Sequence, residues 1–218
     1  MDNILDKFGL YDFFGLLIPG MYFFIILDFL NFPQAFGIQY PTNEGILVVT
    51  FLLFSYLIGT FIQEIATYID KKVKLRDMPK RKFLNGANKI FSEKEHKEVQ
   101  VFVKEQFGNI DYMNKDENEM IFKKMKACIE NEDKMEKADK FDAIYAMSRD
   151  MIVCNISLLI IAFINIFINV NYIHISVIVC LFNTISIVIF WHRACEYTKK
   201  RVRTIIRQYI SLKETSNS

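Results

Sequence analysis

The chain of 218 residues has a hydrophobic share of 52% and a charged share of 24%, yet its formal net charge is only +2. The 21 Phe and the mean hydropathy of +0.17 exceed what a soluble domain with an ordinary surface carries, and the small net charge gives no argument for nucleic-acid binding. Apolar and charged residues must therefore be segregated along the sequence, as in a membrane protein with a soluble part.

Two apolar windows near the N-terminus are long enough to cross a membrane. A hydrocarbon core about 30 Å thick needs about 20 apolar helical residues, and Tyr11 to Leu30 and Gly45 to Ile65 meet that length. Residues 1–10 carry more acids than bases, which is the wrong sign for a signal peptide, so we expect the first window to be a permanent helix. Residues 1–69 are thus predicted to form a transmembrane hairpin.

Residues 70–150 are rich in charge and are predicted to form a helical cytoplasmic insert. Ser92 followed by Glu95 is a capping box, which predicts an amphipathic helix that ends near Phe107. From about Glu119, apolar residues at helical spacing predict one long helix. Charge pairs at i,i+4 support it, namely Glu119 with Lys123, Glu130 with Lys134, Asp133 with Lys137 and Glu136 with Lys140. Because no Pro or Gly interrupts it, we expect this helix to continue into the third span as one rod.

A basic run opens the insert. Its ordinary interpretation is a stop signal that contacts anionic lipid headgroups, and the alternative is a site for a phosphate-rich ligand or a partner protein. The run consists of Lys71, Lys72, Lys74, Arg76, Lys80, Arg81 and Lys82.

Two further apolar windows, Met151 to Val170 and Tyr172 to Trp191, contain no Asp, Glu, Lys or Arg. They predict a second transmembrane hairpin over residues 151–192. Residues 193–218 continue as a basic amphipathic helix, which either lies along the inner leaflet or packs on the insert. Its candidate contacts with lipid, partner or ligand are Arg201, Arg203 and Arg207.

Lysine and arginine indicate the orientation of these spans, because they accumulate on the cytoplasmic side. None of the 27 bases lies in the 31–44 loop or at the 169–173 turn, whereas 19 lie between Lys71 and Arg149. We therefore predict cytoplasmic termini and a cytoplasmic insert in a bacterial inner membrane. The predicted fold class is all-α, a polytopic bundle of four transmembrane helices.

Polar residues within the spans share helix faces, and such groups usually face protein or water. One interpretation is hydrogen bonding between helices or subunits. The other is a water-filled path, which requires several copies of the chain. The candidate residues are Ser55, Gly59 and Gln63 in the second span, Asn155, Asn165 and Asn169 in the third, and Ser176, Asn183 and Ser186 in the fourth.

The sequence offers no pattern of a catalytic, cofactor or metal site. His96, His174 and His192 lie far apart, and HExxH, GxSxG, the P-loop and GxGxxG are all missing. The four Cys lack ligand spacing. We therefore predict a protein that is not an enzyme and binds no cofactor.

Four short stretches add a resemblance. They are YDFFGLLIPG at residues 11–20, SYLIG at 55–59, FDAIYAMSR at 141–149 and RACEY at 193–197. Together with the order of parts, they resemble small four-span membrane proteins of bacterial antiphage defence operons, such as the Kiwa membrane subunit and Hailong-type effectors. The resemblance implies a homo-oligomer, for example a tetramer, whose cytoplasmic part receives a partner protein or nucleotide signal and whose spans sense or permeabilise the membrane.

Three functions remain open at this point. The first is an oligomeric sensor or effector of antiphage defence, which includes an ion channel. The second is a non-conducting scaffold that recruits a cytoplasmic enzyme through the basic run. The third is a small transporter, which is disfavoured because the two hairpins show no internal repeat.

Overall fold

The computed structural model describes residues 13–32, 42–86, 90–108 and 110–217. Helices account for 84% of these residues, and no strand occurs among them. The prediction of an all-α fold is therefore confirmed for the residues that the structure describes.

Six α-helices make up the described parts of the chain. A π-helical turn, Phe13–Leu17, precedes the first helix, and a 3₁₀ turn, Val170–Tyr172, precedes the last. The helices are α1 (Ile18–Phe29), α2 (Glu44–Val73), α3 (Glu93–Phe107), α4 (Lys115–Asn131), α5 (Glu136–Ile168) and α6 (Ile173–Asn217).

Three of these helices, α2, α5 and α6, are long and apolar enough to cross a membrane. Their most apolar windows have mean hydropathies of 2.3, 2.6 and 2.4. The helical stretch Gly15–Phe29 is apolar but shorter. The window predicted for the first span begins at Tyr11, outside the described residues.

The chain divides into two compact units. The apolar unit comprises Met1–Ile69 and Ala143–Ala194, and the charged unit comprises Asp70–Asp142 and Cys195–Ser218. Both α5 and α6 contribute residues to each unit.

The charged unit has its own hydrophobic core. It is built from one face each of α3, α4 and α6, so the C-terminal part of α6 packs on the insert. Of the two positions predicted for residues 193–218, which we call the tail, the structure has the one packed on the insert. The core includes Val99, Val103, Ile121, Met125, Ile129, Val202, Ile205 and Ile206.

The long helix predicted from Glu119 into the third span is wrong in its first part, because α4 ends at Asn131 and α5 begins at Glu136. Asp133 takes a left-handed conformation with φ 53°. Its N–H donates to the carbonyl of Glu130, and that of Lys134 to the carbonyl of Ile129, which is the Schellman ending of a helix.

Candidate functional site

Three helices of the apolar unit meet at a buried polar cluster. The hydroxyl of Tyr22 on α1 lies 3.0 Å from Oδ1 of Asn155 on α5 and 3.0 Å from Oδ1 of Asn183 on α6. Both Asn residues are fully buried. Each donates from Nδ2 to a carbonyl one turn earlier in its own helix, Met151 for Asn155 and Val179 for Asn183.

A tyrosine hydroxyl carries one proton, so Tyr22 donates to one of these two amide oxygens at a time. The cluster therefore joins α1 to both α5 and α6 through a single shared donor. The periodicity of Asn, Ser and Gln in the spans does not point to Tyr22. The signal that could have found it is a phenol in the middle of an apolar window rather than at its ends, where membrane tyrosines usually lie.

A second buried contact involves Asn165 on α5. Its Nδ2 lies 3.0 Å from the carbonyl oxygen of Leu30 and 3.0 Å from Oγ of Ser176 on α6. Leu30 directly follows the last residue of α1, and the last carbonyls of a helix have no partner within it. Asn165 thus donates a hydrogen bond to a carbonyl at the end of α1, for which the surrounding apolar side chains offer no donor.

The Ser55 and Gly59 face of α2 lies against α1 within the same chain. A methyl group added to Gly20 would overlap the carbonyl of Ser55, and one added to Gly59 would overlap the backbone of Leu16. The two helices therefore approach at backbone distance, which small residues permit. Ser55 thus lies against Gly20 of α1, and Gly59 lies against Leu16 in the π-helical turn before α1.

The other predicted polar residues of the spans have different surroundings. Ser186 is buried, whereas Gln63 and Asn169 are half-buried. The apolar unit thus encloses most of the predicted set within one copy of the chain. That several copies line a path with these residues stays a prediction. The enclosed side chains are Ser55, Asn155, Asn165, Ser176, Asn183 and Ser186.

Asp142 is a shared counter-ion within the charged unit. It pairs with Arg76, and its Oδ1 lies 3.5 Å from Nε of Arg201 on α6. Arg201 is buried; burial lowers the pKa of its guanidinium, and the charge of Asp142 opposes that shift. One carboxylate therefore pairs with two of the predicted basic contact residues, the exposed Arg76 and the buried Arg201.

Two further bases of the run make ion pairs with α4. Arg81 lies 2.7 Å from Asp116 and 2.8 Å from Glu119, and Lys80 lies 3.3 Å from Glu119. Burial raises the pKa of Glu119, but hydrogen bonds from Lys123 and Lys80 outweigh it and lower the pKa overall. These contacts hold the C-terminal part of the basic run against α4.

The remaining predicted bases fall into two groups. Arg203 donates to the carbonyl of Ile90, and Arg207 lies 2.6 Å from Glu95 on α3. By contrast, side chains at the end of α2 and just after it are exposed, and that of Lys82 is half-buried. The exposed ones are Lys71, Lys72 and Lys74.

The described residues contain no group of three or more His, Cys, Asp or Glu that could hold a metal ion. What the site residues offer is hydrogen bonding in the apolar unit and charge pairing in the charged unit. Comparisons with protein-family models, with curated proteins and with solved structures found no match to this chain.

Proposed function

We propose that this chain is a four-span inner-membrane protein that acts as a homo-oligomeric sensor or effector of antiphage defence. Its termini and its charged unit lie in the cytoplasm, where the charged unit receives a partner protein or a ligand. The defence role and the oligomer rest on the resemblance of the four short stretches, and the membrane location rests on the structure of the two units.

One observation carries the membrane location. Every Lys and Arg except Lys7, Arg149 and Arg193 falls within 70–142 or 195–218, the bounds of the charged unit. The helices of the apolar unit expose large hydrophobic side chains instead. Examples are Phe61 on α2, Phe167 on α5 and Leu181 on α6, which are 68%, 72% and 63% exposed.

Such a surface suits lipid and not water. Monomeric soluble proteins rarely expose contiguous apolar patches larger than a few hundred Å², and lipid tails remove that penalty for an apolar helix surface. The positive charges beside one end of each long helix favour the cytoplasmic side for that end.

Besides α2, α5 and α6, the proposal needs one more span, the first in chain order, and we assign α1 to it. Tyr22 on α1 reaches Asn155 and Asn183, which lie inside two of the helices long enough to cross a membrane. Because α1 packs against these two helices, we propose that it lies in the same membrane layer. The predicted window from Tyr11 to Leu30 has the required length.

Phage challenge tests the defence role. The chain is expressed with its genomic neighbours, and phage growth and membrane potential are followed together, with the neighbours alone as the control. We expect protection that depends on this chain and is accompanied by depolarisation. Unimpeded phage growth at a steady membrane potential contradicts the proposal.

A non-conducting membrane scaffold is the second candidate function. It is favoured because Asn155, Asn165 and Asn183 each donate a hydrogen bond from Nδ2 within a single copy. A water-filled path lined by these amides would require their contacts to open. Protection without depolarisation selects the scaffold over the channel.

A further inference from the structure

A groove of about 650 Å³ runs along the charged unit between α3 and the C-terminal part of α6. Its surface includes an apolar strip formed by Val101 and Phe102 of α3 and Ile210 of α6. Val101 is 57% exposed, and the other two are partly exposed. These neighbouring side chains form one small apolar strip on an otherwise charged unit.

Carboxylates surround this strip. Glu98 and Glu105 come from α3 and Glu214 comes from α6, whereas Lys97 is a base on the same lining. These four side chains leave the groove acidic. An ammonium or guanidinium brought to this rim would gain attraction, and a phosphate would be repelled.

Two more charged side chains line the groove but neutralise each other. Oε1 of Glu95 lies 2.6 Å from Nε of Arg207. The hydrogen bond from Arg207 lowers the pKa of Glu95, and the same bond raises the pKa of Arg207, so the pair stays charged at neutral pH. Arg207 is therefore already matched and does not offset the other carboxylates.

The dimensions of the groove suit a helix. On α3 the lining positions 95, 98, 102 and 105 follow one helical face, and on α6 positions 207, 210, 211 and 214 do the same. Ten residues of helix extend about 15 Å, which matches about three turns of a third helix laid between the two. Amphipathic helices commonly bind in grooves of this kind.

We propose that this groove binds a basic amphipathic helix of a cytoplasmic partner protein, with its apolar face on Val101, Phe102 and Ile210 and its Lys or Arg residues toward Glu98, Glu105 and Glu214. The inference rests on the proposed function, because it names the partner that the charged unit receives. An anionic membrane surface or the same groove of a second copy would bring like charges together.

The test uses the full chain in nanodiscs of zwitterionic lipid and a fluorescent 14-residue helical peptide of Leu and Lys. Binding is followed by fluorescence anisotropy, and empty nanodiscs give the background from lipid. The groove variant carries Glu98→Lys and Glu105→Lys. The control variant carries Glu132→Lys and Glu136→Lys, which change the net charge equally at exposed positions.

We expect the groove variant to bind the peptide about tenfold more weakly than the wild type, because two attractive pairs become repulsive ones. The control variant should bind like the wild type. A photo-crosslinker, p-benzoylphenylalanine, placed at Val101 should capture the peptide, and one placed at Met120 on α4, which is 50% exposed, should not.

Equal binding by the wild type and the groove variant overturns the inference, as does equal crosslinking from Val101 and Met120. A change in the oligomeric state of the groove variant with unaltered peptide binding assigns the groove to a second copy and also overturns it. Protease protection and phage challenge of the same variants test the proposed function separately. A chain that inserts and protects but does not bind the peptide contradicts only the groove.

Discussion

At the scale of single residues, the apolar unit depends on a few polar atoms placed where sequence periodicity gives only part of the information. Helical spacing predicts that Asn155 and Asn165 share one face of the third span and that Asn183 shares a face of the fourth span with Ser176. All four residues are buried. The partners of the three Asn residues are not visible from spacing, because Tyr22 and the carbonyl of Leu30 come from α1, far away in sequence. The spacing of residues along a helix predicts which face is polar, but what that face contacts depends on how the helices pack.

Tyr22→Phe should destabilise the protein, because the two buried amide oxygens lose their shared donor. Hydrogen bonds between membrane helices contribute about 0.6 kcal/mol and up to about 1.7 kcal/mol, so we expect a loss of about 1 kcal/mol. Unfolding in mixed detergent micelles measures it. Tyr56→Phe, at a position 42% exposed, is the control, and equal stability of the two variants would contradict the role of Tyr22.

Gly59→Ala should push α2 away from the π-helical turn before α1, since the added methyl group would overlap the backbone of Leu16. Overpacking of this kind costs about 1–3 kcal/mol. Gly45→Ala adds the same methyl group where the nearest atom is the side-chain oxygen of Asn43 at 3.4 Å. Thermal unfolding in detergent should show a lower midpoint for Gly59→Ala alone, and a similar midpoint for both variants would disprove the close approach.

At the scale of the element, the helix break after α4 shows where local pairing rules fail. Of the predicted i,i+4 pairs, Lys123 with Glu119 and Lys140 with Glu136 are present. The pairs predicted for Glu130 with Lys134 and for Asp133 with Lys137 would span the break, and Glu130 pairs with Lys126 instead. Asp tolerates the left-handed conformation that ends a helix better than most residues, so a pattern of charges alone could not exclude an ending at Asp133.

Asp142→Asn should destabilise the charged unit, because it removes the carboxylate that Arg76 and the buried Arg201 share. Loss of one partner of a buried pair costs about 3–5 kcal/mol, and the partial exposure of Asp142 places our expectation at about 3 kcal/mol. Glu136→Gln removes an exposed carboxylate of the same helix and should leave stability unchanged. Limited proteolysis in detergent compares the two, and equal resistance would argue against the shared counter-ion.

The contact between Glu95 and Arg207 should depend on pH. Because the pKa of Glu95 is lowered from 4.5 in the folded protein, its contribution to stability is present above that value and is lost as the pH falls through the folded pKa. The stability difference between the wild type and Glu95→Gln should therefore be full at pH 7 and shrink below pH 4.5. A difference that stays constant on acidification would exclude this pair as its source.

At the scale of the whole molecule, segregation of charge along the sequence predicted most of the architecture. Long apolar windows correspond to α2, α5 and α6, which need only length and composition to be recognised. The position of the tail needed the structure, since an amphipathic helix suits a membrane surface and a protein surface equally well. The core formed by Val202, Ile205 and Ile206 with the insert supplies that information.

Labelling of single cysteines tests the proposed topology. In a variant without the four native Cys, we expect Asn171→Cys, in the exposed turn before α6, to react with a membrane-impermeant maleimide in spheroplasts. Glu132→Cys, exposed between α4 and α5, should react only after the membrane is lysed. The opposite pattern would show that the orientation is inverted. Immediate labelling of both positions would show that no membrane separates them.

The charged unit is discontinuous in sequence, and this orders its biosynthesis. Its first segment, Asp70–Asp142, leaves the ribosome before its second, Cys195–Ser218, has been translated. During that interval the nascent chain lacks the side chains of Val202, Ile205, Ile206 and Tyr209 that complete the core, and apolar surface exposed in this way attracts chaperones and proteases. A message truncated after Ala194, within α6 and before the second segment of the charged unit, would therefore yield a protein that is degraded rather than one that lacks only a tail.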